Sequence, residues 1–512
     1  MNQHLSRRGL LGGVAGAATA VALRPGVAAA QAPAATSPRF FGRMFNLPPF
    51  APATDQVRAA LRELGRPGGL MDARDPLGEG PVRLITNPEL SPNNRDNPFH
   101  TAGTTFLGQF IDHDFTFDLT SRLGVPANPE TSPNTRIPTL ALDSVYGGGP
   151  SANPEFYASD RVKFRVESGG VFEDVPRRTD GVAIIADPRN DENLMISGLQ
   201  AAFLLFHNRV VDRLRSQDTP SDRLFAEARR LVTWHYQWII VHEFLPQIIT
   251  FGITQDVLTH GRRFYRPAPG QHFMPVEFQG ACYRFGHSMV RPSYRANLRG
   301  DPGGDPNTGA PAFFGFIFSP AAEGQPDPDD LRGGARARRR FIGWQTFFDF
   351  RDGQVRTNKR IDTRISTPLF NLPLGAIASG DPPTALPQRN LLRHLTWSLP
   401  SGQSIANAMG IPVLGQDVFP ELRQLGFDAS TPLWYYVLKE ADVLGDGISL
   451  AGVGARLVGE VFIGLLELDP TSYLSVDRNW RPTLPRRTGA TGDFTMVDLL
   501  TFAGVDPTSR GQ

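Results

Sequence analysis

Two long apolar stretches with helical periodicity constrain the fold of this chain more than any other feature. Apolar residues recur every three to four positions over residues 194–214 and 224–251, the spacing of a buried helical face. The same period, more briefly, marks residues 55–64, 104–115, 276–290, 405–409, 432–441, 453–466 and 495–503. Alternating strand patterns are few, the best being residues 162–166 and 182–185. The sequence predicts a mainly α protein with few short strands.

The connections between these segments are long and irregular. The 45 prolines and 52 glycines are spread along all 512 residues, and no internal repeat divides the chain. The most irregular stretch, residues 298–340, is predicted to be a surface excursion, and its arginine-rich end to be solvated. We therefore expect one large domain over residues 31–512, with its core at about 43–505.

The first 30 residues have the pattern of an export signal. Paired arginines, Arg7 and Arg8, precede a short run rich in glycine and alanine that ends in a small-residue cleavage site at Ala28–Ala30. This pattern predicts a twin-arginine signal peptide over residues 1–30, and a protein exported to the periplasm or the medium. No later segment predicts a transmembrane anchor.

Composition excludes several classes of protein. A net charge of +1 gives no positive field for nucleic acid. The single cysteine, Cys282, excludes intramolecular disulfides and thiolate metal clusters. Any metal chemistry must therefore use mainly His, Asp or Glu.

Three polar motifs lie in apolar surroundings. In Gly-Gln-Phe-Ile-Asp-His-Asp (108–114), Gln109 and His113 are four residues apart and share a helical face. In Asp-Pro-Arg-Asn-Asp-Glu (187–192), Arg189 is a cation at the start of an apolar helix, where the helix dipole disfavours it. The third, Tyr-Arg-Phe-Gly-His (283–287), has a glycine beside His287. Alone, each motif is also compatible with hydrogen-bonded structural residues, and a lone histidine on an apolar helix is more often such a residue than a ligand.

In this order the three motifs resemble the animal-type haem peroxidase superfamily, which includes myeloperoxidase and peroxinectin, with most likeness to its bacterial branch. Similarity continues through Arg-Asn-Leu-Leu-Arg (389–393), Thr-Pro-Leu-Trp (431–434), 460–466 and 493–500. The resemblance implies a helical peroxidase domain. It also implies a haem-dependent enzyme that reduces hydrogen peroxide and oxidises a halide or small organic donor through a ferryl intermediate.

The resemblance also implies roles for individual residues. His113 would be the distal acid–base and Arg189 the distal cation, with Gln109 hydrogen-bonding in the same pocket. His287 would be the proximal ligand of the haem iron. The partner of its imidazole would be Asn390, and Arg393 would face a haem propionate.

Two further features of the family are incomplete here. Asp112 and Glu192 match carboxylates that form ester links to haem in some members, so haem b or an ester-linked derivative is expected. Asn193 stands where myeloperoxidase has the methionine of a sulfonium link, which excludes that link. A calcium site would use Asp114, Thr139 and Asp143, but Ala141 replaces its usual acidic residue.

Two other functions stay open for such a chain. One is a fatty-acid dioxygenase of the same superfamily, whose radical tyrosine lies three residues before the proximal histidine. That position is Arg284 here, and Tyr283 is four residues before His287. The other is a non-catalytic, peroxinectin-like adhesion protein.

Overall fold

The computed structural model describes residues 40–168, 172–268, 272–299, 312–334, 339–377 and 379–510. The proposed signal peptide, residues 1–30, lies outside these ranges. Helices dominate, as the periodicity predicts. They are α1 (Asp55–Leu64), α2 (Gly80–Thr86), α3 (Ala102–Phe115), α4 (Asp143–Tyr146), α5 (Leu194–Ser216), α6 (Leu224–Ile239), α7 (Leu245–Ile249), α8 (Phe251–His260), α9 (Val276–Gly280), α10 (Leu386–Thr396), α11 (Gly402–Met409), α12 (Leu433–Gly445), α13 (Gly452–Leu468), α14 (Tyr473–Val476) and α15 (Met496–Ala503).

The strands are short and pair two by two. They are β1 (Phe41–Gly42), β2 (Asp96–Thr101), β3 (Glu167–Ser168), β4 (Glu173–Asp174), β5 (Met274–Pro275), β6 (Ser293–Arg295), β7 (Phe314–Phe316) and β8 (Thr357–Lys359). β1 pairs with β5 in parallel, whereas β2–β8, β3–β4 and β6–β7 are antiparallel. The strands predicted at residues 162–166 and 182–185 are wrong: these segments make only isolated bridges, at Phe164 and Ala183.

Two predicted helices are interrupted for local reasons. The stretch 224–251 contains a π-helical turn, Ile240–Phe244, which ends just before Leu245 and Pro246. The ring and missing N–H of Pro246 disturb the regular hydrogen-bond ladder. The stretch ends at Thr250, which has a φ of 70°. The helix predicted over 276–290 stops at Gly280, and a 3₁₀ turn, Cys282–His287, carries His287 instead.

The apolar helix α5 lies at the centre of the fold. It packs against α3, α6 and α15, and against the turn Pro188–Asp191. In the described chain it is the one helix long and apolar enough to cross a bilayer, but 83% of its apolar window is buried by the rest of the fold. The helix α3 contacts α5 and the turns 188–191 and 282–287, so the three sequence motifs meet around α3.

The stretch 298–340 is more than a surface excursion. Of its described part, β7 pairs with β6, and Leu331 O accepts a hydrogen bond from Leu194 N at the start of α5. Arg340 is 1% exposed and donates to the carbonyls of Asp330 and Arg332, so solvation was the wrong expectation for this residue. The described part of this segment therefore packs against the core.

The close contact between α11 and α12 depends on a glycine. A Cβ on Gly402 would lie 1.9 Å from Cγ of Tyr436. We expect Gly402→Ala to lower the free energy of unfolding by about 3 kcal/mol, because an overpacked core must shift backbone or side chains. Thermal unfolding of the purified protein measures this.

The matched control is Gly445→Ala at the end of α12, where a Cβ would meet nothing within 4 Å. Alanine there should leave the melting temperature unchanged or raise it, because it is the better helix former. Equal melting temperatures for the two variants would contradict the packing argument.

Candidate active site

A cavity of about 280 Å³ lies where the three motifs meet. The helix α3, the turns 188–191 and 282–287, and α10 contribute to its lining. Of the haem-site residues predicted from the sequence, those that line it are Gln109, Asp112, His113, Arg189, Glu192, His287 and Arg393. An apolar portion is lined by Ile317, Phe318, Leu369, Leu372, Ile377 and Leu386. The cavity thus joins titratable groups to an apolar wall.

His113 is held in the cavity wall as a neutral imidazole. Its Nδ1 lies 2.8 Å from Oδ1 of Asn190, whose own Nδ2 donates to Oε1 of Gln200 at 2.8 Å. Because Asn190 presents its oxygen, Nδ1 of His113 carries the proton and Nε2 is left as the basic nitrogen. Burial, then the positive charge of Arg189, lowers the pKa of His113 to about 3. The imidazole is therefore neutral at any ordinary pH.

Arg189 is fixed beside His113 by a buried carboxylate. Its Nε and Nη2 donate to the two oxygens of Asp187 at 3.0 and 2.8 Å, and Nη2 also donates to the carbonyl of His113 at 3.1 Å. The guanidinium lies 4.0 Å from the centroid of the Phe117 ring. With this many contacts the cation has one position, next to the neutral base.

Gln109 is held at both ends of its amide. Its Nε2 donates to Oε1 of Glu192, and its Oε1 accepts from Nδ2 of Asn193 at 3.3 Å. Asn193 is also the N-cap of α5, because its Oδ1 accepts from Ile196 N at 3.1 Å. The side chain at position 193 therefore has two structural partners.

Two of the carboxyl groups that line the cavity, Asp112 and Glu192, are shifted toward the neutral form. Burial raises the pKa of both, that of Glu192 to about 8, although the charge of Arg189 opposes the shift. Asp112 lies 4.0 Å from Nη1 of Arg189, and its side chain keeps 36% exposure where it lines the cavity. Either carboxyl group can hydrogen-bond a bound cofactor, as donor or acceptor.

His287 lies in the 282–287 turn with Asn390 of α10 behind it. Nδ1 of His287 is 2.6 Å from Nδ2 of Asn390, and Oδ1 of Asn390 accepts from Nη1 of Arg284 at 3.3 Å. Nε2 has no hydrogen-bond partner among the described residues. If His287 binds a metal through Nε2, its Nδ1 carries the proton and needs an acceptor. The oxygen of Asn390 becomes that acceptor when its side-chain amide turns by 180°.

Arginines line the cavity near His287. Arg284 and Arg389 were not singled out as site residues by the sequence, whereas Arg393 was. Arg393 Nη1 donates to Asp118 Oδ2 at 2.7 Å and to Ser121 Oγ at 2.6 Å. The pKa of Arg284 falls to about 10 through burial and the neighbouring Arg393, so it stays a cation at neutral pH. This edge of the cavity suits an anionic group.

The residues expected to bind calcium are brought together in part. Asp114 accepts from Leu142 N and from Ser144, and burial together with Asp143 raises its pKa well above the usual range. Oδ1 of Asp143 is buried without a hydrogen-bond partner. Thr139 is buried in the segment before Asp143. No three His, Cys, Asp or Glu side chains of the described chain gather as a metal site, so calcium stays a prediction.

The structure adds residues that the motifs alone did not reveal. Asn190 and Asp187 orient His113 and Arg189, and both are within the second motif, so their polar character inside an apolar environment was the available signal. The sequence marks Arg284 only as the position where a dioxygenase would have its radical tyrosine. Nothing in the local sequence indicates that Asp118 would pair with Arg393, 275 residues away.

Comparisons with known proteins find similarity to peroxidases over part of the chain. Residues 167–308 match the family model described as animal haem peroxidase. A dual oxidase of Drosophila melanogaster is 29% identical over 130 residues, 24% of this chain, and a peroxidase-like protein of Margaritifera margaritifera is 32% identical over 114 residues, 20% of this chain. The matched segments are 8% and 14% of those relatives' lengths.

Solved structures share the fold at greater sequence distance. Peroxidase A from Dictyostelium discoideum has a TM-score of 0.60 at 15% identity, covering 90% of this chain and 95% of its own. The fatty acid α-dioxygenase of Oryza sativa has a TM-score of 0.55 at 14% identity, covering 85% of this chain and 76% of its own. The fold is therefore one that peroxidases and dioxygenases both use.

The cavity fits a haem, the group that the matched animal haem peroxidase family implies. A Cβ built on Gly286 would meet nothing within 4 Å, so there is open space beside His287. His287 offers a nitrogen without a protein partner, arginines line the cavity near it, and carboxyl groups lie near His113. Imidazole, cations and carboxyl groups are the donor set for an iron porphyrin with carboxylate side chains.

The raised pKa of Glu192 makes stability depend on pH. The pKa goes from the ordinary 4.5 to about 8 in the folded protein, so the stabilising contribution is complete below pH 4.5 and is lost as pH rises through 8. Glu192→Gln removes this titration. The melting temperature of the haem-free variant, relative to the parent, should therefore rise between pH 5 and pH 9, as measured by thermal unfolding in a pH series.

Glu63→Gln, on the exposed surface of α1, is the control and should follow the parent at every pH. A constant difference between Glu192→Gln and the parent across the series would show that Glu192 does not titrate in this range.

Proposed function

We propose that this chain, which matches the animal haem peroxidase family model over residues 167–308, belongs to that family and is a haem-dependent peroxidase. It would reduce hydrogen peroxide and take electrons from a halide or a small organic donor. The observation that carries the proposal is the neutral His113 held beside the cation Arg189, in the same cavity as His287. Cleavage of a peroxide needs an acid–base group beside a fixed positive charge, which His113 and Arg189 would supply.

His287 would hold the haem iron through Nε2, and Arg284, Arg389 and Arg393 would face the haem carboxylates. Bound haem supplies the iron that binds and reduces the peroxide. His113 Nε2 accepts the proton of the incoming peroxide oxygen and returns it to the departing oxygen. Arg189 stabilises the negative charge that develops on that oxygen. Asn190 keeps the proton of His113 on Nδ1, so Nε2 stays basic.

The finer features of the family are also proposals here. Asp112 and Glu192 would contact the haem edge, with or without ester links. Calcium would bind at Asp114, Thr139 and Asp143, and the unpartnered buried Oδ1 of Asp143 supports this site. The paired arginines Arg7 and Arg8 support export by the twin-arginine route, and the N-terminal sequence of exported protein would check cleavage after Ala30.

A dioxygenase is the second candidate, because the apolar wall of the cavity would suit an acyl chain. Two observations favour the peroxidase. Arg284 occupies the position expected for the radical tyrosine, and the hydroxyl of Tyr283 is engaged with Gly108 O at 3.0 Å. Oxygen uptake with a long-chain fatty acid, in the absence of peroxide, would favour the dioxygenase instead.

We expect His113→Ala to bind haem but to react with hydrogen peroxide about 100-fold or more slowly, since general acid–base groups contribute about 10²–10⁴ in rate. Stopped-flow absorbance of the haem band measures this rate. His260→Ala, at an exposed histidine outside the cavity, is the control and should react like the parent. Equal rates for His113→Ala and the parent would rule out His113 as the acid–base.

His287→Ala tests the ligand of the iron. The variant should lose the haem band or show it shifted, because the nitrogen proposed to bind iron is absent. Absorption spectra of haem-supplied variant and parent, each before and after peroxide, give the result. A parent that binds no haem would exclude the peroxidase, and an unchanged spectrum in His287→Ala would assign the ligand elsewhere.

A further inference from the structure

An indole ring lies directly beside His287. The rings of Trp434 and His287 have centroids 6.5 Å apart and planes at 74°. Trp434 is fully buried near the start of α12, and its Nε1 donates to the carbonyl of Arg284 at 3.0 Å. This ring joins the cavity to α12. Its N–H has a neutral acceptor and no base to receive the proton.

The next residue along the helix, Tyr435, has such a base. Its hydroxyl donates to Oε1 of Glu421 at 2.9 Å, and Lys439 Nζ donates to the same oxygen at 3.0 Å. Tyr435 is 1% exposed, whereas the side chains of Glu421 and Lys439 are 22% and 20% exposed. The phenol is therefore covered, but its acceptor Glu421 and the Lys439 bound to that acceptor reach the surface.

The protonation states suit oxidation of this tyrosine. Although burial opposes it, hydrogen bonds from the backbone, Lys439 and Tyr435 lower the pKa of Glu421, so it is a carboxylate at neutral pH. A neutral phenol is a weak acid, but it becomes a strong one when it loses an electron. The carboxylate 2.9 Å away can take the proton as the electron leaves.

We propose that Trp434 and Tyr435 form an electron path from the cavity to the surface at Glu421 and Lys439, where one-electron reductants too large to enter the cavity are oxidised. The path rests on the proposed peroxidase function, which supplies hydrogen peroxide as the oxidant. It makes this surface a second donor site, separate from the cavity.

The electrons and protons transferred along this path add up to the overall reaction of a peroxidase. An electron passes from Tyr435 through Trp434 to the cavity, and the phenol proton moves to Glu421. A donor DH at the surface then returns an electron to Tyr435, which recovers its proton from Glu421, and the oxidised donor releases its own proton to solvent. Two such cycles reduce one peroxide, giving H₂O₂ + 2 DH → 2 H₂O + 2 D•, with two protons taken up at the cavity.

The chain offers a matched control in a second aromatic cluster. Trp238, Trp480 and Tyr473 have ring centroids 5.6–6.0 Å apart, and the hydroxyl of Tyr473 lies 3.2 Å from Nε2 of His242. Tyr473 is thus another buried tyrosine with a base, but neither it nor His242 lines the cavity.

The test uses the haem-loaded protein, freeze-quenched after addition of peroxide, with electron paramagnetic resonance as the readout. The parent should show a tyrosyl radical that Tyr435→Phe and Trp434→Phe abolish, that Glu421→Gln diminishes and that Tyr473→Phe leaves unchanged. Oxidation of ferrocytochrome c, a donor too large for the cavity, should fall at least about tenfold in Tyr435→Phe, while iodide oxidation changes less than about twofold.

Three results would overturn the path: no protein radical in the parent, a parent-like radical in Tyr435→Phe, or an equal fall in iodide and ferrocytochrome c oxidation. A parent that binds haem and oxidises iodide would still support the proposed function in each case. A parent inactive with both donors would instead contradict the peroxidase itself, and the path with it. Haem absorption of each variant shows that it is folded and loaded.

Discussion

Asp187 is the residue on which the geometry of the site depends. Its side chain has no exposed surface, yet it binds two guanidinium groups: Arg189, and Arg136, whose Nε and Nη2 donate to it at 2.9 and 2.6 Å. Burial alone would raise its pKa, but the two arginines hold it well below the usual range. Because a buried carboxylate without its cations would be very costly, the turn 188–191 and the end of α3 are locked together.

The sequence predicts the helices correctly where the helical spacing of apolar residues continues without interruption. The 55–64 and 194–214 stretches became α1 and α5 with nearly the expected ends. The predicted helix ends are wrong where a proline or a tertiary contact interrupts a helix although the apolar spacing continues. Pro246 divides the 224–251 helix, and Gly280 ends the next one, where Trp397 and Leu399 would lie 3.1 Å from a Cβ. The strands pair segments as distant as β2 and β8, which local alternation cannot reveal.

The site was accessible from the sequence because its main residues fall within short motifs. Gln109 and His113 share one face of α3, and Arg189 and Glu192 lie just before α5, so the contact between α3 and α5 brings all four to one cavity. Partners from distant segments were not accessible. The pairing of Arg284 with Asn390 and of Arg393 with Asp118 depends on how α10 lies against the cavity, which no local pattern encodes.

The two hydrogen bonds of Asn193 restrict which residues position 193 can accept. The oxygen of Asn193 caps α5 and its nitrogen holds Gln109, so one small side chain serves a helix and a cavity residue together. A thioether at this position would remove the cap, at about 1 kcal/mol, and leave the Gln109 oxygen without that donor. A mutational route toward a sulfonium-linked haem therefore begins with a loss of stability and order, before any new bond can form. Compensating substitutions around the start of α5 would have to come first.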